Sequence, residues 1–290
     1  MKGLNKIALV TAISAASFGV NAELKSLDDS AMGELTGQAG ITIELETKVD
    51  IGSIVYTDTL EVGGDATKSG GSLAINAISI GGKAGSKLDD LLIDIDLAED
   101  GDAIIDVHSQ SGLPIDFGIT IAEVKLQGND ATASSTLIAS NVNVEGDLYK
   151  LGLQVDTASD TLNITAAFTL TDLDVDVDFL SLGIQNLTLS SDNSATCATA
   201  ACGVAQGTSA AINAGLAAAG APASYGNAAV LIMSVGAGTS ATTGKDGLAV
   251  GIEYFEADIA MDISLGGTGI GHVAINDLVI TETSMLVYGH

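Results

Sequence analysis

The chain has 290 residues with 10 Lys, no Arg and 37 Asp plus Glu, for a formal net charge of −27. Such an excess of acid repels phosphate backbones and anionic lipid headgroups, which argues against nucleic-acid binding and adsorption to acidic membranes. With 47% hydrophobic and only 16% charged residues, the chain carries enough apolar surface to fold rather than remain disordered.

In chain order, the first expected element is a leader. Lys2 and Lys6 flank and precede the small, apolar run from Ile7 to Val20, and Val20-Asn21-Ala22 ends in the small residue a signal peptidase accepts, so residues 1–22 read as a signal peptide cleaved after Ala22. The run is shorter than the roughly 20 apolar residues of a membrane-spanning helix. No later segment reaches that length without a charge or a turn residue. The chain is therefore expected to be exported through the inner membrane of a Gram-negative cell, with no transmembrane helix, to the periplasm, the outer-membrane surface or the medium. Loss of Lys2 and Lys6 removes two positive charges and takes the net charge from −27 to −29.

Residues 23–40 form a short N-terminal helical segment on this reading. Ser26 or Asp28 caps it, Leu27, Ala31, Met32 and Leu35 fall at helical spacing, and Gly37 or Gly40 ends it. From Ile41 the pattern changes to strict alternation, with Ile41, Ile43 and Leu45 on one face and Thr42, Glu44 and Glu46 on the other, which predicts a half-buried strand. The same period recurs, punctuated by Gly, Asn and Asp, through 73–80, 91–97, 115–121, 142–148, 151–155, 162–170, 173–179 and 180–189. Asp172, Asp174, Asp176 and Asp178 alternate with Leu173, Val175, Val177 and Phe179, so a one-residue slip there would bury a row of carboxylates. Residues 41–192 are accordingly one β block.

Residues 193–245, rich in Ala, Gly, Ser and Thr, read as an insertion with a small-residue helix over 208–220 and a run, 228–235, that is either a helical turn or a buried strand. Cys197 and Cys202 fall within it, and in an oxidising compartment such a close pair predicts a local disulfide. Its loop is a tight hoop rather than a staple across the fold. Alternation resumes over 248–254, 257–265 and 273–280, making 246–290 a C-terminal β block that completes the same domain. The predicted fold class is all-β: an elongated antiparallel sandwich or rolled sheet with a small Ala/Gly-rich helical insertion. A β-solenoid is the alternative, weakened by the absence of a repeat period. A membrane barrel would alternate in the same way, but 3% aromatic residues cannot furnish its interfacial girdles.

No catalytic constellation emerges. There is no G-x-S-x-G elbow, no phosphate-cradling loop around Gly244-Lys245, no H-E-x-x-H, and His108, His272 and His290 are scattered. The one candidate site is the acid cluster Asp94, Asp96, Asp100, Asp102 and Asp106. As an EF-hand from Asp96 it fails, with Ala98 at the third position and Val107 where a bidentate acid belongs. A turn bearing several carboxylates still suits Ca2+, the only cofactor the sequence suggests; the competing reading is a hairpin turn at Glu99-Asp-Gly-Asp with solvated flanks.

The segment Leu27-Asp-Asp-Ser-Ala-Met-Gly-Glu-Leu-Thr-Gly-Gln-Ala-Gly-Ile-Thr-Ile43, placed just after a signal peptide, resembles exported Gram-negative FilA-like proteins named for pilus assembly. The resemblance implies a role at the cell surface or in filaments and brings no catalytic residues with it. Two functions follow as expectations. One is a non-enzymatic cell-envelope structural or assembly protein of surface filaments, whose long alternating strands pair edge to edge with other envelope or pilus proteins or with further copies of the chain. The other is a periplasmic binder of lipid or another apolar molecule held against an aliphatic sheet face.

Overall fold

The computed structural model describes residues 40–58, 70–128, 135–222 and 224–289. The leader, the helix expected near 26–36 and His290 lie outside the described residues. Among the described residues the chain is all-β with one α-helix. Its strands are β1 (Ile41–Thr47), β2 (Val49–Thr57), β3 (Ser72–Gly81), β4 (Leu88–Leu97), β5 (Ala103–Ser109), β6 (Ile115–Gln127), β7 (Ser135–Asp156), β8 (Thr161–Val177), β9 (Leu182–Ser190), β10 (Ala229–Thr239), β11 (Asp246–Leu265) and β12 (Thr268–Val287). The helix is α1 (Ala200–Ala218). No described helix is long and apolar enough to cross a membrane.

All twelve strands join one sheet, and every pairing is antiparallel. Several strands lie end to end, so the sheet is an up-and-down meander of eight columns. β1 and β2 form the first column, β3 and β4 the second, β5 and β6 the third. β7 is long enough to pair with β6 over 135–148 and with β5 over 151–155. β8 follows, then β9 and β10 end to end, then β11 and β12. A column of about 20 residues at ~3.3 Å per residue is roughly 65 Å long. Neither proline interrupts a ladder: Pro114 lies between β5 and β6, and Pro222 follows α1. Pairing of sequence neighbours into a meander is not the successive coiling of a solenoid.

Strands this long drift out of phase with a two-residue repeat, and β-bulges restore it. The β7–β8 ladder shifts register between Glu145 and Gly146, so Leu170 opposite Gly146 and Leu173 opposite Val144 stay on one face while Asp172 and Asp174 keep to the other. Asp90, Asn141, Asn186 and Asp277 each sit at a register shift with φ between 51° and 59°. Asn and Asp tolerate this left-handed backbone better than other non-glycine residues. These phase jumps are why 142–155, 162–177 and 248–265, which alternation divides in two, are single strands.

The stretch expected as an insertion is part of the core. β10 pairs with β8 on one side and β11 on the other, so only residues between β9 and β10 leave the sheet. The helix starts at Ala200 rather than near 208 because Thr199 caps it, its Oγ1 accepting from the Cys202 N–H at 3.2 Å. Cys202 and Ala205 of α1 pack on Ala167, Val230 and Tyr254, all at most 2% exposed. Two further clusters are built within the sheet: Leu91, Val107 and Ile115 near its first columns, and Leu189, Ala229 and Ala257 near its last. Glu256, 2% exposed, fastens the approach to the helix by accepting from the Ser194 N–H at 2.9 Å, the Ala195 N–H at 3.2 Å and the Tyr254 hydroxyl. Burial first, and then the Glu256 carboxylate, push the Tyr254 phenol well above its ordinary pKa.

Candidate functional site

The acid cluster lies on the β4–β5 hairpin. Register sets Asp94 opposite Asp106 and Asp96 opposite Ile104, with Asp100 in the turn and Asp102 just ahead of β5. Asp94 accepts from the Thr42 hydroxyl and pairs with His108 Nε2 at 2.8 Å. The Thr42 hydrogen bond, followed by that of His108, holds the Asp94 carboxyl below its usual range, and Asp94 in turn raises His108. Asp102 is the anchor of the turn: its carboxylate accepts from the Thr157 N–H at 2.9 Å, the Thr157 hydroxyl at 3.0 Å and Gln154 Nε2 at 2.8 Å. Those bonds, the Thr157 N–H foremost, lower its pKa. Asp100 Oδ1 accepts from the Asp102 N–H at 3.2 Å, and Lys150 Nζ lies 3.4 Å from the Asp106 carboxylate. Asp96 lies against Gly40, where a Cβ would come within 2.3 Å of its Oδ1. The five acids thus point to separate partners, and among the described residues no three His, Cys, Asp or Glu side chains converge as metal ligands do. Cys197 and Cys202 form the expected disulfide.

The aspartates of β8 belong to a polar ladder across the sheet. Asn143 Nδ2 donates to Asp172 at 3.2 Å, Asn141 Nδ2 to Asp176 at 2.8 Å, and the Asn186 N–H to Asp174 at 2.8 Å. Asn186 Nδ2 then reaches Asp262 at 3.0 Å, and His272 Nδ1 closes the row 2.9 Å from Asp262. Burial, with Asp174 beside it, raises the Asp172 pKa. The ladder joins bulge residues to neighbouring strands, a role the sequence announces only by Asn and Asp placed inside alternating runs.

The two outer columns differ from the rest of the sheet. Among the described residues β12 pairs only with β11, and β1 and β2 pair only with β4 and β3. β12 is exposed over nearly its whole length on both faces, including Ile270 at 63%, Met285 at 55% and Val273 at 41%. The opposite edge presents Ile41 at 61%, Val55 at 54% and Tyr56 at 67%. Natural sheets blunt exposed edges with Lys, Pro or short strands. β12 has twenty residues and none of either type.

A second surface feature is a trough beside α1, 470 Å³ in volume, lined by Asp106, His108, Tyr149, Lys150, Val204 and Ile212. The flank of the helix overhangs β5 and β7 there. Asp106 Oδ1, though shut off from solvent, accepts no hydrogen bond.

Residues 1–99 match the model of a family described as a family of unknown function (DUF6160), a match that takes in β1 to β4 and the segment before them. No curated protein and no solved structure matches the chain.

Proposed function

We propose that this chain is a non-enzymatic structural or assembly protein of the bacterial cell envelope that works by pairing the free edges of its sheet with further sheet. The supporting observation is the exposure of both outer columns, which carry aliphatic and aromatic side chains uncovered on two faces beside backbone groups that no described strand pairs. Burying such side chains contributes about 25 cal/mol per Å² of apolar area, and edge strands supply the hydrogen bonds that fix orientation. The net charge of −27 opposes close approach of two copies at low ionic strength, so assembly is expected to strengthen as salt shortens the Debye length from about 10 Å at 0.1 M to about 3 Å at 1 M. Negative-stain microscopy and sedimentation of the purified protein across that range test the reading: ordered polymers that grow with salt support it, and a monomer at every salt concentration rejects it.

The trough beside α1 favours a second reading, a binder of a small amphiphile with its apolar body on Val204 and Ile212 and a donor group at Asp106. A monomer that co-purifies with an extractable organic ligand supports that reading instead.

A further inference from the structure

Resting on the edge-pairing reading, we infer that the occupant of the β12 edge is the β1–β2 edge of a second copy, joined head to tail so that the sheet runs on from chain to chain. The first argument is parity. The path from β1 through β4, β5, β7, β8, β10 and β11 to β12 crosses seven antiparallel pairings, so β12 runs antiparallel to β1. A copy displaced along the sheet therefore meets its neighbour with the strand direction every other ladder in the molecule uses. The second is a match of interruptions. The first column breaks at Lys48, between β1 and the nine residues of β2. β12 is interrupted at Asp277, whose φ is 55° and whose N–H is held by Asp258 at 2.8 Å. The segment of β12 before that interruption, 268–276, is as long as β2. Aligning the two breaks sets β2 against 268–276 and β1 against the remainder. The third is charge: the same alignment brings Lys48, the cation between β1 and β2 whose Nζ donates to the Gly85 carbonyl at 3.0 Å, opposite Asp277 on a strand that has no Lys.

Eight columns at ~4.8 Å give an advance of roughly 38 Å per copy, and a twist of about 20–25° per strand turns successive copies into an open helical filament.

Cysteine cross-linking tests this. The two native cysteines are tied to each other, so introduced thiols are the only reactive ones. Ile43 and Met285 lie at the same end of their columns, and Ile270 lies at the other. In salt that supports polymers, an I43C/M285C variant treated with a short bis-maleimide is expected to give a ladder of covalent oligomers, as is a mixture of the I43C and M285C single variants limited to dimers. I43C/I270C should stay unlinked. Dimers from I43C alone or M285C alone indicate two-fold pairing of like edges and overturn the head-to-tail inference while leaving edge pairing intact. An internally linked monomer from I43C/M285C indicates that the sheet closes on itself and overturns it as well. Polymers that persist in microscopy with no link in any variant overturn it too, whereas absence of polymers removes the edge-pairing reading itself.

Discussion

Lys83 shows at the level of one side chain how the sheet holds its columns in line. It stands in the short turn between β3 and β4, its Nζ 2.8 Å from Asp147 on β7, while its N–H donates to Asp116 at 2.9 Å. The Asp147 side chain is 7% exposed and that of Lys83 is 28% exposed. Removing the lysine leaves a carboxylate buried without a counter-charge, so Lys83→Ala should cost about 2 kcal/mol, less than a fully buried pair because Lys83 reaches water. A denaturant midpoint unchanged from wild type would refute this, and K83M/D147L should recover most of the loss. The His108–Asp94 pair makes a pH prediction. His108 is raised from 6.5 by the Asp94 hydrogen bond, so its contribution to stability is full below pH 6.5 and is lost as pH rises through the folded value. Asp94 is lowered from 3.8, so its contribution is present above that pH and is lost as pH falls through the folded value. The melting-temperature difference between wild type and His108→Asn should therefore be largest near pH 5 and shrink toward pH 8. A difference independent of pH would break the link between the pair and folding.

At the level of elements, α1 is held by docking rather than by propensity. It contains Gly203, Gly207 and Gly215, each costing about 1 kcal/mol in a helix relative to alanine. A Cβ at Gly203 or Gly215 would meet nothing within 4 Å. G203A and G215A should each stabilise by about 0.5–1 kcal/mol, read as a rise of ~2–4 °C per kcal/mol in melting temperature. The disulfide joins the loop before α1 to the core, because Cys202 is 2% exposed and packed on the sheet. Chain entropy for so short a loop gives about 2 kcal/mol as the upper limit for C197A. C202A should lose about 1 kcal/mol more, since it also empties a buried site, and equal melting temperatures for the two variants would contradict the packing of Cys202. Composition hid this element. Ala, Gly and Ser carry little periodic signal, and the helix gains its burial only when β8, β10 and β11 have assembled beneath it. β5 and most of β2 carry a weaker signal: β5 exposes the aliphatic Ile104 on the side opposite its buried Val107, and β2 is exposed over almost its whole length.

For the molecule as a whole, the dominant electrostatic term is the net charge of −27, whose self-repulsion is relieved by any salt. Thermal stability should rise with ionic strength, and Ca2+ should add nothing beyond NaCl of matched ionic strength, since Asp94, Asp100, Asp102 and Asp106 are engaged with separate partners. A Ca2+-specific rise, removed by Asp100→Asn with Asp102→Asn, would restore the cluster as a site. Alternation by itself determined that the runs recurring from Ile41 onward are β-strands, most with an aliphatic and a polar side, because a two-residue period fits a strand whose sides differ in solvent. Cysteine spacing determined the disulfide, since the two cysteines lie close in sequence. What joined half-runs into eight long columns was tertiary: the bulges at Asn141, Asn186 and Asp277 are fixed by acids on neighbouring strands, namely Asp176, Asp174 and Asp258. Tertiary structure likewise placed β10 in mid-sheet, dispersed the acid cluster and left β1, β2 and β12 at the margins. No local pattern encodes those outcomes, because each depends on which strands, far apart in sequence, come to lie side by side.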